Sequence, residues 1–390
     1  MGQGPSYGLT GRLADGQTER EMRIAVIVGT RPEAIKMAPV YLTLKKDPRI
    51  EALLIVTAQH REMLDQVLSV FQIQPDIDLD LMEPNQTLAG ITASVVTAVQ
   101  RTLAEVRPDA VLVHGDTTTC LASGLAAFYE RIPLGHVEAG LRTYNFQAPW
   151  PEEMNRRLVD PICRWCFAPT AGAAANLRAE RIPEESIFVT GNTIVDALML
   201  AREMVRQRPP AVPGLPPHAL EGRRLILVTG HRRESFGKPF EDFCGALLDI
   251  VRANGDVALV YPVHLNPNVQ KPVYDILGKE DRIHLIAPIE YLPFVHLMDR
   301  SYLIITDSGG IQEEAPSLGK PVLVTRTVTE RPEAMRANLA KLVGTQRERI
   351  VAEAQRLLSD REAYRVMSSG ENPYGDGKAS ERILEILRRG

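Results

Sequence analysis

Short apolar runs recur along the chain, and segments with helical character separate them. The runs share a length of four to seven residues, and they lie at 24–28, 53–57, 110–114, 187–190, 225–229, 257–263, 283–286, 302–306 and 321–325. Buried strands that alternate with helices predict parallel sheets with helices on both faces. The expected fold class is therefore a doubly wound α/β protein.

The chain has 390 residues, which is enough for two domains of about 100–200 residues each. A Pro-rich segment interrupts the alternation, and we predict a linker at residues 208–218. The predicted limits are 22–207 for a first Rossmann-like domain and 219–369 for a second, with a helix at about 370–390 packing back on the first. Because such sheets bind ligands at the carboxyl ends of their strands, we expect the two sheets to face a cleft.

Composition excludes several classes of protein. A net charge of −4 gives no reason to expect nucleic acid or an anionic membrane as a partner, and no apolar run approaches the roughly 20 residues that span a bilayer. Four cysteines are too few for a disulfide framework in a chain of this size, which favours the cytoplasm. Residues 1–21 contain five glycines and no apolar core, so we predict a disordered extension rather than a signal peptide.

The densest polar motif, D-S-G-G-I-Q-E-E, follows the run at 302–306. A turn at Ser308, Gly309 and Gly310 that opens a helix lets the backbone approach an anionic phosphate, although two glycines also suit an ordinary tight turn. Glu313 and Glu314 would repel phosphate, so they are better suited to sugar hydroxyl groups. The motif indicates a nucleotide-sugar site.

Other polar motifs also follow predicted strands. In G-T-R-P-E-A-I-K, Arg31 and Lys36 are either ligand-binding cations or part of a solvated helix start. In H-G-D-T-T-T, Asp116 either caps a helix or acts as an acid or base. Glu138 follows a run at 132–135, and His231 follows the run at 225–229, where a histidine is a candidate ligand-binding group.

Three further patterns have simpler interpretations. Glu152 and Arg156 are four residues apart on a predicted helix, where the simpler interpretation is an exposed ion pair that contributes little to stability. The D-x-D spacing at 76–80 resembles that of metal-dependent glycosyltransferases, but we interpret it as an exposed connector and expect no metal. The C-x-x-C spacing at 163–166 has no second pair to complete a zinc site, and we place it on a helix.

Together these motifs resemble the non-hydrolysing UDP-N-acetylglucosamine 2-epimerases of bacteria. The resemblance covers about residues 22–388, and G-T-R-P-E-A-I-K, H-G-D-T-T-T, H-V-E-A-G-L-R, P-E-E-x-N-R, G-H-R-R-E-S, P-V-H-L-N-P and D-S-G-G-I-Q-E-E occur in the family's order. It implies a GT-B-like fold, interconversion of UDP-GlcNAc and UDP-ManNAc for surface polysaccharide, and a homodimer. It also implies UDP-GlcNAc as both substrate and allosteric effector.

The resemblance also implies roles for individual residues. The positions that match catalytic residues are Asp116, Glu138, Glu152, His231 and Lys36. Those that match substrate or UDP contacts are Arg31, Arg156, Phe294, Ser308, Gly309, Gly310, Glu314 and Arg331. Those that match the effector site are Gln59, His60, Arg232 and His264, where Glu62 and Asn85 depart from the pattern of some members.

The chemistry of the residues agrees with that function. Loss of UDP would acidify the C2 proton, carboxylates could serve as bases on either ring face, and no cofactor is required. Three alternatives are a hydrolysing 2-epimerase, a UDP-sugar glycosyltransferase on the same fold, and a nucleotide-sugar sensor without catalytic activity.

Overall fold

The computed structural model describes residues 22–57, 61–81, 86–329 and 331–389, so the extension predicted at 1–21 lies outside the described residues. Contacts within the chain divide it into two units. The first ends at Thr193 and resumes at Lys378, and the second is Ile194–Gly377. These limits differ from the domain limits predicted from the sequence, because the Pro-rich segment at 208–218 makes its contacts within the second unit and does not separate the two units.

The first unit contains a parallel sheet. Its strands are β1 (Met22–Val28), β2 (Ile50–Val56), β3 (Ile77–Asp78), β4 (Ala110–His114), β5 (Leu134–Val137), β6 (Trp165–Ala168) and β7 (Ile187–Val189). Within the described residues these seven strands follow the order β3-β2-β1-β4-β5-β6-β7. The order of the chain reverses between β1 and β4, which pair directly. Ligands of doubly wound sheets bind at such a reversal.

The second unit repeats this plan. Its strands are β8 (Arg224–Thr229), β9 (Val257–Pro262), β10 (Ile283–Ile286), β11 (Leu303–Thr306), β12 (Val322–Val324) and β13 (Ala340–Leu342). In the part of the chain that the structure describes, these six strands follow the order β10-β9-β8-β11-β12-β13. Here the reversal lies between β8 and β11, which are parallel neighbours.

Helices cover the faces of both sheets. They are α1 (Arg31–Lys45), α2 (Arg61–Val70), α3 (Leu88–Val106), α4 (Thr118–Tyr129), α5 (Glu152–Val159), α6 (Ala171–Ala179), α7 (Thr193–Gln207), α8 (Lys238–Ala253), α9 (Pro267–Leu277), α10 (Tyr291–Arg300), α11 (Gly309–Glu314), α12 (Pro332–Arg336), α13 (Arg347–Ser359), α14 (Arg361–Ser368) and α15 (Ala379–Arg389). Helix α15 packs on α1, and Arg388 pairs with the buried Asp47 at 2.6 Å. Across the described ranges, no helix is both long and apolar enough to cross a bilayer.

Local patterns predicted most of these elements. Each of the nine runs overlaps a strand, which confirms the α/β fold class with two parallel sheets. The helix predicted at the C-x-x-C spacing is wrong, because Cys166 lies inside β6 and Cys163 precedes it. A buried strand of four residues is too short for periodicity to distinguish it from a helix. The D-x-D segment is an exposed connector, and its regular structure is limited to the two residues of β3.

Candidate active site

The turn between β1 and α1 is built around Glu33, which is 2% exposed. Its carboxylate accepts hydrogen bonds from the backbone N–H of Gly29 at 2.8 Å and of Thr30 at 2.7 Å, and from the hydroxyl of Thr117. Burial raises the pKa of Glu33. Because Thr117 follows β4, this carboxylate joins the two loops at the strand-order reversal of the first sheet. The T-x-x-E spacing at 30–33 is the sequence signal for it.

One turn further along α1, Lys36 forms a buried ion pair with Glu138, which follows β5. The backbone of Glu138 has a φ of 70°, an unusual conformation for a residue with a side chain. Burial alone would raise the pKa of Glu138, but the charge of Lys36 holds it well below its usual range. The carboxylate is therefore ionised at neutral pH.

Two further side chains face the same oxygen of Glu138. The amide of Asn192 donates a hydrogen bond to Oε2 at 3.1 Å, and Nε2 of His114 lies 3.7 Å from it. Among the described residues, neither ring nitrogen of His114 has a hydrogen-bond partner. Oε2 is thus held by groups from the ends of β4 and β7 as well as from α1. The sequence-based prediction missed Asn192 and His114.

A buried network supports the loop that carries Glu138. His136 in β5 lies 2.6 Å from Asp160 and 2.7 Å from the carbonyl oxygen of Gly115, and Arg142 donates to Asp160 at 2.6 Å. Burial alone would raise the pKa of Asp160, but His136 and then Arg142 lower it. The polar residues of H-V-E-A-G-L-R thus have separate tasks in this chain, since His136 and Arg142 stabilise the loop and Glu138 is presented by it.

Asp116, in the loop after β4, forms an ion pair with Arg156 of α5. Arg156 also contacts the buried Glu153 at 3.3 Å, and Asn155 donates to the backbone oxygen of Asp116 at 2.8 Å. The exposed Glu152–Arg156 pair considered from the sequence does not form, because Arg156 turns to Asp116 and Glu153. Glu152 is half-buried, and its carboxylate has no ion pair within the described structure.

The helix after β4 is capped by Thr117, whose hydroxyl accepts from the N–H of Cys120 at 3.0 Å. The alternative in which Asp116 is the cap is therefore wrong, and its carboxylate pairs with Arg156 instead. Arg31 is the first residue of α1 and half-buried, and it forms no ion pair with any residue that the structure describes. The first unit thus gathers Lys36, Asp116 and Glu138 at the carboxyl ends of β1, β4 and β5.

In the second unit, His231 and Arg232 follow β8 and contact Asp307, which follows β11. One oxygen of Asp307, Oδ2, accepts hydrogen bonds from the N–H of His231 at 2.7 Å and of Arg232 at 2.8 Å. The guanidinium of Arg232 donates to the Asp307 carbonyl oxygen at 3.2 Å. These contacts join the two loops at the reversal point of the second sheet.

The ring of His264, beyond β9, stacks on that of His231 with centroids 5.2 Å apart and planes inclined by 10°. Phe294 lies half-buried in α10, the helix after β10. The structure therefore brings His231, Arg232 and His264 together. Gln59 and His60, the other predicted effector residues, and the variant position Asn85 lie outside the described residues.

The predicted phosphate turn is a strand-to-helix turn, with Ser308 at the N-cap of α11. Arg331 packs against this turn at Gly309: a Cβ atom added to Gly309 would lie 3.3 Å from the guanidinium carbon of Arg331. A Cβ atom added to Gly310 would have only the Ser308 hydroxyl nearby, at 3.9 Å. Arg331 forms an ion pair with Glu313 at 2.9 Å, a pair that the sequence did not predict. Glu314 is the last residue of α11 and is buried.

Comparisons with known proteins agree with these motifs. The family model described as UDP-N-acetylglucosamine 2-epimerase matches residues 42–388. A UDP-N-acetylglucosamine 2-epimerase of Salmonella typhimurium is 56% identical over 370 residues, covering 94% of this chain and 98% of that protein. One from Escherichia coli is 55% identical with the same coverage.

A solved structure is similar along nearly the whole chain. The crystal structure of UDP-GlcNAc 2-epimerase from Neisseria meningitidis bound to UDP-GlcNAc superposes with a TM-score of 0.83 at 49% identity, covering 95% of this chain and 100% of that one. Sequence, fold and the placement of the polar motifs agree, and the chain belongs to the UDP-N-acetylglucosamine 2-epimerase family.

Proposed function

We propose that the protein interconverts UDP-GlcNAc and UDP-ManNAc by inversion at C2 without net hydrolysis, and so supplies ManNAc for surface polysaccharide. The observation that carries the proposal is the pair of cation-matched carboxylates, Glu138 with Lys36 and Asp116 with Arg156, on adjacent loops of the first sheet. The Neisseria meningitidis relative bound to UDP-GlcNAc supports the choice of substrate.

The order of bond changes follows from acidity. A proton on a carbon next to an acetal is too weakly acidic for a carboxylate to remove. When the C1–O bond breaks, its electron pair stays on the departing UDP and C1 becomes electron-poor, so the C2 proton is acidified. A base removes that proton and a glycal forms. Re-addition of UDP at C1 and protonation of C2 from the opposite face give the epimer.

The first unit provides groups for the proton transfers. Glu138 is ionised because of Lys36, so it suits the role of base and Lys36 stabilises its charge. Asp116 is the candidate for the opposite ring face, where Arg156 keeps it oriented. Glu152 lacks an ion pair among the described residues, so its carboxylate can accept a proton without losing a charged partner.

The second unit provides groups for UDP. The turn at 308–310 and Arg331 suit the diphosphate, Phe294 and Glu314 suit the nucleoside, and His231 suits the oxygen on which charge develops. Arg31, which has no ion pair among the described residues, is a further candidate for a substrate contact. The reaction changes no oxidation state overall, so these residues suffice without a redox cofactor.

The proposal is tested by incubating the protein with UDP-GlcNAc alone in deuterated water and following the products by NMR. We expect UDP-ManNAc with deuterium at C2 and no accumulation of free UDP. Free ManNAc with UDP would identify a hydrolysing enzyme, and no reaction until a sugar acceptor is added would identify a glycosyltransferase. Unchanged UDP-GlcNAc would identify a sensor, and UDP-ManNAc that retains protium would refute the elimination.

We also propose that UDP-GlcNAc acts as an effector through Arg232 and His264, in a homodimer. A ligand at His264 would act directly on His231, because the two rings stack. With UDP-ManNAc as the only substrate, the initial rate should rise when a small amount of UDP-GlcNAc is added, and His264→Ala should abolish this rise. A rate that is independent of added UDP-GlcNAc would contradict the effector role. Sedimentation equilibrium tests the dimer.

A further inference from the structure

Asp307 is a buried carboxylate that none of the roles above uses. Its side chain is 3% exposed, and Oδ2 is occupied by the two backbone N–H groups of His231 and Arg232. The other oxygen, Oδ1, is buried and has no hydrogen-bond partner within the described ranges. It lies 3.6 Å from Nδ1 of His231. The imidazole therefore borders an unsatisfied negative oxygen on its Nδ1 side.

This arrangement favours one orientation of the ring. A buried oxygen without a donor is costly, and a small rotation of His231 would bring Nδ1–H within hydrogen-bond distance of it. When Nδ1 faces Asp307, Nε2 is directed away from the protein carboxylate, where it can donate to a ligand.

We propose that Asp307 is a positioning residue for His231: its Oδ1 accepts from Nδ1–H and so aims Nε2 at the oxygen of the departing diphosphate. The inference rests on the proposed function for its role in catalysis. As the C1–O bond breaks and its electron pair moves to the β-phosphate oxygen, a protonated Nε2 held in this direction can donate to that oxygen and stabilise its charge.

Other ionisable groups also face this histidine. Arg232 adjoins it in the chain, His264 stacks on it from the loop after β9, and the hydroxyl of Tyr261 in β9 donates to the carbonyl oxygen of Gly230 at 2.5 Å. Among these groups Asp307 supplies the carboxylate oxygen beside Nδ1 of His231, so it is the acceptor toward which Nδ1–H turns.

The first test reads the proton position on His231 by NMR of 15N-histidine-labelled protein, with His231→Gln used to assign its signals. In Asp307→Asn, the amide oxygen can still accept the two backbone hydrogen bonds, while the NH2 group replaces Oδ1 beside Nδ1. We expect the proton of the neutral ring to move from Nδ1 to Nε2, because Nδ1 then faces a donor. Asp249→Asn is the matched control, because Asp249 pairs with Arg347 on α13 and its change should leave His231 unaffected. A neutral ring that keeps its proton on Nδ1 in Asp307→Asn would overturn the inference.

A second measurement needs no Asp307 variant and so does not depend on its folding. In the wild-type protein, the 15N shifts of His231 should show that the neutral ring carries its proton on Nδ1, the nitrogen that faces Asp307. A neutral ring that carries its proton on Nε2 would overturn the inference.

Kinetics link this positioning to turnover. Asp307→Asn should lower kcat at least tenfold in wild type but have little further effect in His231→Gln. Equal losses in both backgrounds would show that Asp307 does not act through His231. If the wild type does not form UDP-ManNAc, the proposed function fails, whereas the NMR measurement still decides whether Asp307 orients His231.

Discussion

Lys36 and Glu138 form a buried ion pair although 102 residues separate them in the sequence. Lys36 lies in the first turns of α1, after β1, and Glu138 lies directly after β5. Since β4 separates these strands in the sheet, the pair crosses the carboxyl end of β4, where Asp116 is located. This pairing determines the charge state of Glu138.

Lys36→Met should change the pH profile of kcat as well as its height. Without Lys36, burial dominates and raises the pKa of Glu138. Because the ionised carboxylate is the base, activity is lost as pH falls through this pKa, and the loss should begin at a higher pH in the variant. A pH series of kcat measures this, with Lys271→Met on the exposed face of α9 as the control. An acidic limb at the wild-type position would contradict the assigned role.

Asn192→Ala should lower kcat by up to about 100-fold, because Glu138 loses a hydrogen bond that fixes its position. UDP affinity should stay at the wild-type value, since Asn192 contacts Glu138 and is not among the proposed UDP contacts. Steady-state kinetics and calorimetry separate the two effects. Asn254→Ala, which also removes one side-chain hydrogen bond to a neighbouring group, should preserve both values. A similar loss of kcat in the two variants would argue against a specific role for Asn192.

Glu152 and Glu153 should respond differently to the same substitution. Glu152→Gln should lower kcat by roughly two to four orders of magnitude and leave the melting temperature unchanged. Asp116→Asn and Glu138→Gln should lower kcat by the same amount. Glu153→Gln should lower the melting temperature, because the buried Glu153 accepts N–H groups of Thr143 and Tyr144 at 3.0 and 2.9 Å. The test measures kcat and the melting temperature of both variants, Glu152→Gln and Glu153→Gln. Near-normal turnover in Glu152→Gln would remove Glu152 from the catalytic set.

Gly309→Val and Gly310→Val should each abolish UDP binding, because a branched side chain blocks approach to the backbone. Only Gly309→Val should also displace Arg331, which lies 3.3 Å from the position of its Cβ atom. Neither glycine has a positive φ, so backbone strain does not contribute. Calorimetry with UDP and the melting temperature of each folded variant test this. Near-normal UDP affinity in either would contradict the assignment of the turn.

Asp160→Asn should destabilise the first unit by about 3–5 kcal/mol at neutral pH, because His136 and Arg142 lose a buried anionic partner. The pKa of Asp160 is lowered in the folded protein, so its contribution is present above the unfolded pKa and disappears as pH falls through the folded one. The difference in unfolding free energy between the wild type and Asp160→Asn should therefore become smaller only below about pH 4. Denaturant titrations over a pH series measure it, and a constant difference would exclude this electrostatic origin.

Apolar runs and the position of polar motifs after them were sufficient to predict parallel sheets with the polar candidate residues at their carboxyl ends. The runs before Asp116 and His231, for example, are β4 and β8. The reason is local, because a strand buried on both faces must be apolar throughout and a ligand site at its end must be polar. Strands β6 and β13 escape this logic, because charged residues shorten their apolar runs: Arg164 directly precedes β6, and Lys341 lies inside β13.

Tertiary structure alone decided which side chains meet. It paired Arg156 with Asp116 rather than Glu152, placed Asn192 and His114 against Glu138, and set Asp307 beside His231. Each of these contacts depends on which strands are neighbours in the sheet, and strand order is not contained in the spacing of residues along one segment. The sequence by itself therefore determined the fold class and the candidate residues, whereas the charge states and partners arose only from strand adjacency and burial.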